Sequence, residues 1–171
     1  MRTSITRTSS LTDWAGGYDY EFVTAAGWDM YLYTLDQYLT HFIGRAAVYI
    51  GAEAPPESAR QEAWPRLTQD LGLADPISSG SQVRIELAGV GPLEGVVDYV
   101  SPNFLGLRTA DSLIRLYGRA VIGMTVAVGQ HAFAQQVDAD KIAVAWQTWL
   151  LTAFEPQHAR YSWRWAPIEE T

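Results

Sequence analysis

The chain has no cysteine and a single lysine, Lys141, among its 171 residues. Without cysteine there can be no disulfide, no thiol nucleophile and no thiolate-bound zinc. Basic residues number 12 against 19 acidic ones, for a net charge of −7. The basic residues are scattered, so no nucleic-acid surface is expected. The acidic balance favours solubility and disfavours anionic membranes. No apolar run approaches ~20 residues, so no membrane insertion is expected. Glycine-rich phosphate loops are missing too: Gly89, Gly91 and Gly95 fall in a hairpin pattern, not before a helix. The histidines, His41, His131 and His158, lie far apart without partners at metal-ligand spacing. No metal, no cofactor and no catalytic residue is assigned on these grounds. A cytoplasmic location is the simplest reading. Residues 1–10 are polar, lack the apolar core of a signal peptide and read as a frayed tail.

What the chain does have is hydrophobic patterning, at 48% of its residues. In the stretch that opens Gly27-Trp28-Asp29-Met30, the residues Trp28, Leu32, Leu35, Leu39 and Phe42 alternate in steps of four and three. That spacing places all five on one helix face. Gly44 is a plausible stop for this helix. Little precedes it that could cover such a face. Tyr18 to Phe22 alternates like a short strand, and residues 1–26 are otherwise expected to be poorly structured. Residues 46–50 either finish the helix or form a short extended piece, and 51–56 read as a linker.

Ser58 begins a capping-box pattern, which predicts a helix from there to residue 71 burying Trp64, Leu67 and Leu71. Pro65 conflicts with a straight helix, so the alternative is a later start near Glu62. From residue 80 the period becomes two. Val83, Ile85 and Leu87 alternate with Gln82, Arg84 and Glu86. Further strands are expected at 94–100, 104–109, 113–119 and 124–133, the last weakened by Gly123 and Gly129. The short connections imply an antiparallel meander. Asp138 should cap a final helix over 138–154, with Ile142, Trp146, Trp149, Leu150 and Ala153 on one face. In the tail, Tyr161, Trp163 and Trp165 alternate with Ser162 and Arg164, as in an added strand or a docked tail.

The expected fold is therefore α+β: a meander of four to six strands against a long C-terminal helix, with an extra N-terminal helix. This order, and the residues themselves, resemble the START-like (SRPBCC) superfamily with its helix-grip fold. Gly27-Trp28 with Leu32, Leu35 and Tyr38-Leu39 resembles the last helix of such a domain. The nearest branches are the heat-shock-protein ATPase activator-like and polyketide cyclase-like ones. Residues 91–99 and 104–109 carry the likeness of a second, partial unit. The resemblance implies that 27–50 ends a first domain that is largely missing, that 57–154 is a partial START-like unit, and that 155–171 is a tail.

Three functions follow as expectations. The resemblance first implies non-catalytic binding of a small hydrophobic molecule in a cavity between the sheet and the last helix. Tyr99, Tyr117, His131, Trp146 and Trp149 are its candidate lining; plain core packing is the commoner role for each of them. The second is a co-chaperone-like interaction module, using Trp28, Leu32, Leu35 and Leu39 to meet a protein partner or form a homodimer. The third, ranked last, is a cyclase or dehydrase with His131 or Tyr99 as acid or base. A solid core beneath the last helix, with an apolar patch left on the Trp28 helix, would favour the second. Arg108, Arg115 and Arg119 read as a solvated outer face, with Asp98 or Glu94 as partners. The alternative is an inward set that holds a carboxylate. Glu94 and Asp98, four apart on a strand, are rejected as a catalytic pair because they sit roughly 13 Å apart.

Overall fold

The computed structural model describes residues 20–73 and 76–155, with side chains from residue 27 onward. Expectations for residues 1–19 and for the aromatic tail after 155 lie outside the described residues.

Alternating sequence becomes one six-stranded antiparallel sheet. Its strands are β1 (Val48–Glu53), β2 (Gln82–Leu87), β3 (Gly91–Ser101), β4 (Phe104–Arg108), β5 (Ser112–Tyr117) and β6 (Ala127–Ala132). The spatial order β1-β6-β5-β4-β3-β2 makes β2 to β6 a meander, with β1 added beside β6. Two helices lie on opposite faces. The C-terminal α3 (Ala139–Phe154) covers one, and the N-terminal α1 (Tyr20–His41) lies across the other. The short α2 (Ala63–Asp70) supports the α3 side. The α+β architecture expected from the sequence is present, with six strands. No helix among the described residues is long and apolar enough to cross a membrane.

Several local expectations give way. Tyr20 to Phe22 is the first turn of α1, not a strand. β1 continues to Glu53, through the expected linker, because Tyr49, Gly51 and Glu53 find partners in His131, Gly129 and Ala127 of β6. Residues 48–53 thus share one sheet with the 57–154 unit. The helix after Ser58 starts late: a 3-10 turn occupies Pro56–Ala59, and α2 begins at Ala63 with Pro65 in its first turn. There a proline's missing N–H costs nothing.

Ser58 does not cap a helix. It is fully buried, donates from Oγ to the Pro55 carbonyl (2.7 Å) and accepts from the Val126 amide (3.0 Å). It ties the segment after β1 to the start of β6. Ser58→Ala would leave a buried N–H without a partner, a loss of about 1–3 kcal/mol. Urea unfolding should show this as a lower midpoint with an unchanged slope.

The α3 side is packed through. Trp146 and Leu150 are fully buried with Leu67, Val97, Leu107, Ile114 and Leu116. Asp138 caps α3 as expected, accepting from the Lys141 amide at 3.1 Å. The Trp146 indole donates to Gln130 Oε1 (2.7 Å), and Gln130 Nε2 donates to Ser112 Oγ (3.0 Å). The ring's one polar atom is therefore satisfied inside the core. A groove of about 400 Å³ lies open near the start of α3, bordered by Leu93, Gln130, Val137 and Ile142.

Candidate functional site

The centre of the face beneath α1 is built around charge. The β3–β4 register shifts between Val97 and Tyr99, so Asp98 is the extra residue of a bulge. The bulge puts Tyr99, which strict alternation would send to the α3 side, on the same face as Asp98. Asp98 meets Arg115 of β5 in a two-pronged contact, Nη1–Oδ1 3.0 Å and Nη2–Oδ2 3.1 Å. Both side chains are buried. Gly106 of β4 makes the space. A Cβ there would overlap Asp98 Oδ1 and stand 2.7 Å from Arg115 Nη1.

Helix α1 is the roof of this pair. Arg115 Nε donates to Thr34 Oγ1 (2.7 Å), which itself donates to the Met30 carbonyl (2.7 Å). The Tyr33 ring packs on Tyr99 at 5.2 Å between centroids. After α1 ends, Phe42 turns inward and stacks on Phe133 at 4.3 Å, beside Leu113. Gly44, at φ +78°, redirects the chain toward β1. Arg45 then donates twice to the Phe133 carbonyl. Burial raises the Asp98 carboxyl above its ordinary value, and the Arg115 charge opposes that rise. The same arginine, second to burial, lowers His131.

The sheet-facing residues of α1 are thus Met30, Thr34, Gln37 and Tyr38, with Phe42 just beyond. The Trp28 row points the other way. Trp28, Leu32, Leu35 and Leu39 are 64, 63, 53 and 50% exposed, and Tyr31 and Ile43 flank them. Phe42 alone of the expected five is buried: it follows the sheet-facing Tyr38 by four residues and stacks on Phe133. α1 is therefore apolar on two sides, and the fold uses one. A helix apolar all round ordinarily has both sides covered.

No protein-family model, curated protein or solved structure matches this chain. The site has to be read from its own geometry.

The five residues considered for a ligand pocket do not meet in one place. Trp146 is core, and Trp149 packs edge-on against it at 5.6 Å. Tyr99, Tyr117 and His131 belong to the α1 side. Tyr99 lies by Tyr33, Tyr117 is edge-on to Phe104, and the His131 ring is 5.1 Å from Tyr49. The sheet separates the two groups. Among the described residues no three metal-ligating side chains come together.

The arginines also part company. Arg115 takes Asp98, one of the two partners expected, but in the interior instead of on a wet face. Arg119 pairs with Glu53 at 2.9 Å, a partner the spacing did not suggest. Glu94 pairs on the surface with Arg84.

Proposed function

We propose that this protein is an interaction module that pairs with a second copy of itself through the outer face of α1. The observation that carries this is the exposed Trp28–Leu32–Leu35–Leu39 row on a helix whose other side is already docked. Its 4-3-4 spacing is unchanged by reversal. Turned about the midpoint of Tyr33 and Thr34, Trp28 falls on Leu39 and Leu32 on Leu35. A surface that maps onto itself by a two-fold turn suits an isologous dimer. The exposed parts of the row, with Tyr31 and Ile43, come to on the order of 600–700 Å² per copy, near the ~800 Å² per partner of a standard interface. Asp29 and Asp36 are exposed on one edge of the row. In the antiparallel pair Asp29 of one copy comes about two helical positions, roughly 3 Å along the axis, from the level of Asp36 of the other on the same edge, so added salt should tighten the dimer by screening them.

The hydrophobic-ligand reading has less support, because Trp146 and Leu150 fill the space beneath α3. The START-like kinship stays a proposal that the element order supports.

The double substitution Leu32→Asp/Leu35→Asp tests the surface. Both positions are half exposed or more, so the thermal midpoint of the monomer should hardly move. Light scattering should show the dimer replaced by a monomer. A dimer that survives the substitution would move the interface elsewhere. A wild-type monomer that instead binds a Lys-flanked amphipathic helix, in a salt-weakened way, would replace the second copy by a basic partner.

A further inference from the structure

A second feature of the α1 side is unused by that reading. An open cleft of about 550 Å³ lies between α1 and strands β1, β6 and β5. Four rings line it: Tyr31 from α1, Tyr49 from β1, Phe104 from β4 and Tyr117 from β5. Gly51 lines it, and its partner in the β1–β6 register, Gly129, lies buried against the Tyr49 ring. A Cβ on Gly129 would stand 2.8 Å from the Tyr49 hydroxyl and 3.4 Å from the Tyr117 ring. The glycine is thus what lets those two rings approach the strand. A volume of this size holds a small organic molecule.

The polar groups at the rim specify its chemistry. Arg119 is held along one side, with Nε donating to the Thr125 carbonyl (2.8 Å) and Nη2 to Glu53 Oε1 (2.9 Å). Glu53 also lines the cleft. The two charges offset each other, so the rim favours neither an anion nor a cation. Burial, helped by the neighbouring Tyr49 and Tyr31, pushes the Tyr117 phenol up to about 12, which keeps it a neutral donor at physiological pH. Flat apolar walls with phenol and guanidinium donors at the edge match a flat, uncharged molecule with an oxygen on its periphery.

We propose that this cleft binds an uncharged planar aromatic molecule bearing a hydrogen-bonding group, stacked among Tyr31, Tyr49, Phe104 and Tyr117. It is separate from the groove near Ile142 and from the buried Asp98–Arg115 pair, and Gln147 of α3 borders it at the β1 edge. Tyr31, whose ring lies 6.1 Å from that of Trp28, stands between the cleft and the dimer row.

The probe is 2-naphthol, with 2-naphthoate as its charged counterpart, titrated into the full chain and followed by backbone amide NMR shifts. Saturable shifts centred on residues 31, 49, 117 and 129 are expected, with naphthoate at least fivefold weaker because its carboxylate would shed water at a rim that offers no net positive charge. Tyr49→Ala removes a wall, and Gly51→Val adds side chain to the floor. Tyr49 and Gly51 are both exposed, so both variants should keep the thermal midpoint. Each should bind 2-naphthol tenfold or more weakly, whereas Leu32→Asp/Leu35→Asp should bind it normally. Absence of saturable binding would overturn the proposal. So would shifts centred on the Trp28 row or the groove near Ile142, or unchanged affinity in the two cleft variants. If one cleft variant fails to fold, the other decides.

Discussion

Arg115→Met should destabilise the protein by about 3–5 kcal/mol, because it leaves the buried Asp98 carboxylate without its partner. The arginine has four jobs that methionine cannot do. It binds both Asp98 oxygens, donates to the Ile114 carbonyl at 2.9 Å, and donates to Thr34 on α1. Thr34 is the only one of these partners on α1, so the loss should fall on α1 docking as well as on the sheet. Hydrogen exchange should show α1 opening at lower free energy than β3 to β5. The companion variant Arg115→Met/Asp98→Leu removes both charges and should recover most of the loss, since an apolar pair of similar volume is often as stable as a buried ion pair. The single variant should also depend on pH. With Arg115 gone, burial, the largest influence on Asp98 and one that already raises its carboxyl in the intact protein, is opposed only by a backbone hydrogen bond and the Arg108 charge. A carboxyl raised in the folded state favours the protonated form. The deficit should therefore be small below the unfolded carboxyl value, about 3.9, and grow as pH rises through the raised folded value. Urea midpoints from pH 4 to 7 measure this. A pH-independent deficit would mean that Asp98 is not the group left stranded.

Trp146→Ala should cost about 3–5 kcal/mol, the range for truncating a large buried ring. The indole is fully buried between α3 and the sheet and satisfies Gln130. Its loss opens a hole and strands the Gln130 carbonyl, which the Ser112 contact of the same amide does not serve. Trp146→Phe should lie between, losing the hydrogen bond and part of the volume. Calorimetric midpoints across the series check the order. If the alanine variant lost little, the space beneath α3 would have to hold something other than packed side chains. The hydrophobic-ligand reading would then regain its footing.

Much of this protein can be read in its sequence, for identifiable reasons. The strands announce themselves where one face is apolar, as at Val83, Ile85 and Leu87 of β2. The α3 face is equally plain from Trp146, Leu150 and Ala153. Asp98–Arg115 is less plain, because alternation with Val97 puts Asp98 on the face away from the α3 core, and α1, lying across that face, turns it into interior. One signal was available in Gly106, an interior strand glycine, which commonly marks a bulge or a close approach. The Tyr20 to Phe22 segment misled through its alternation. In the structure it belongs to a helix whose hydrophobic residues serve two faces instead of one. The spacing puts Trp28, Leu32, Leu35, Leu39 and Phe42 in one row without saying which of them meets the sheet. The sheet takes Met30, Thr34 and Tyr38 instead, and leaves Trp28, Leu32, Leu35 and Leu39 outside.

That row is the centre of the account. Sedimentation equilibrium of the unmodified chain, over a range of concentrations and at low and high salt, tests it most directly. The expected result is a reversible monomer–dimer equilibrium that shifts toward dimer as salt screens Asp29 and Asp36. A chain that stays monomeric at every concentration and salt would contradict pairing through α1.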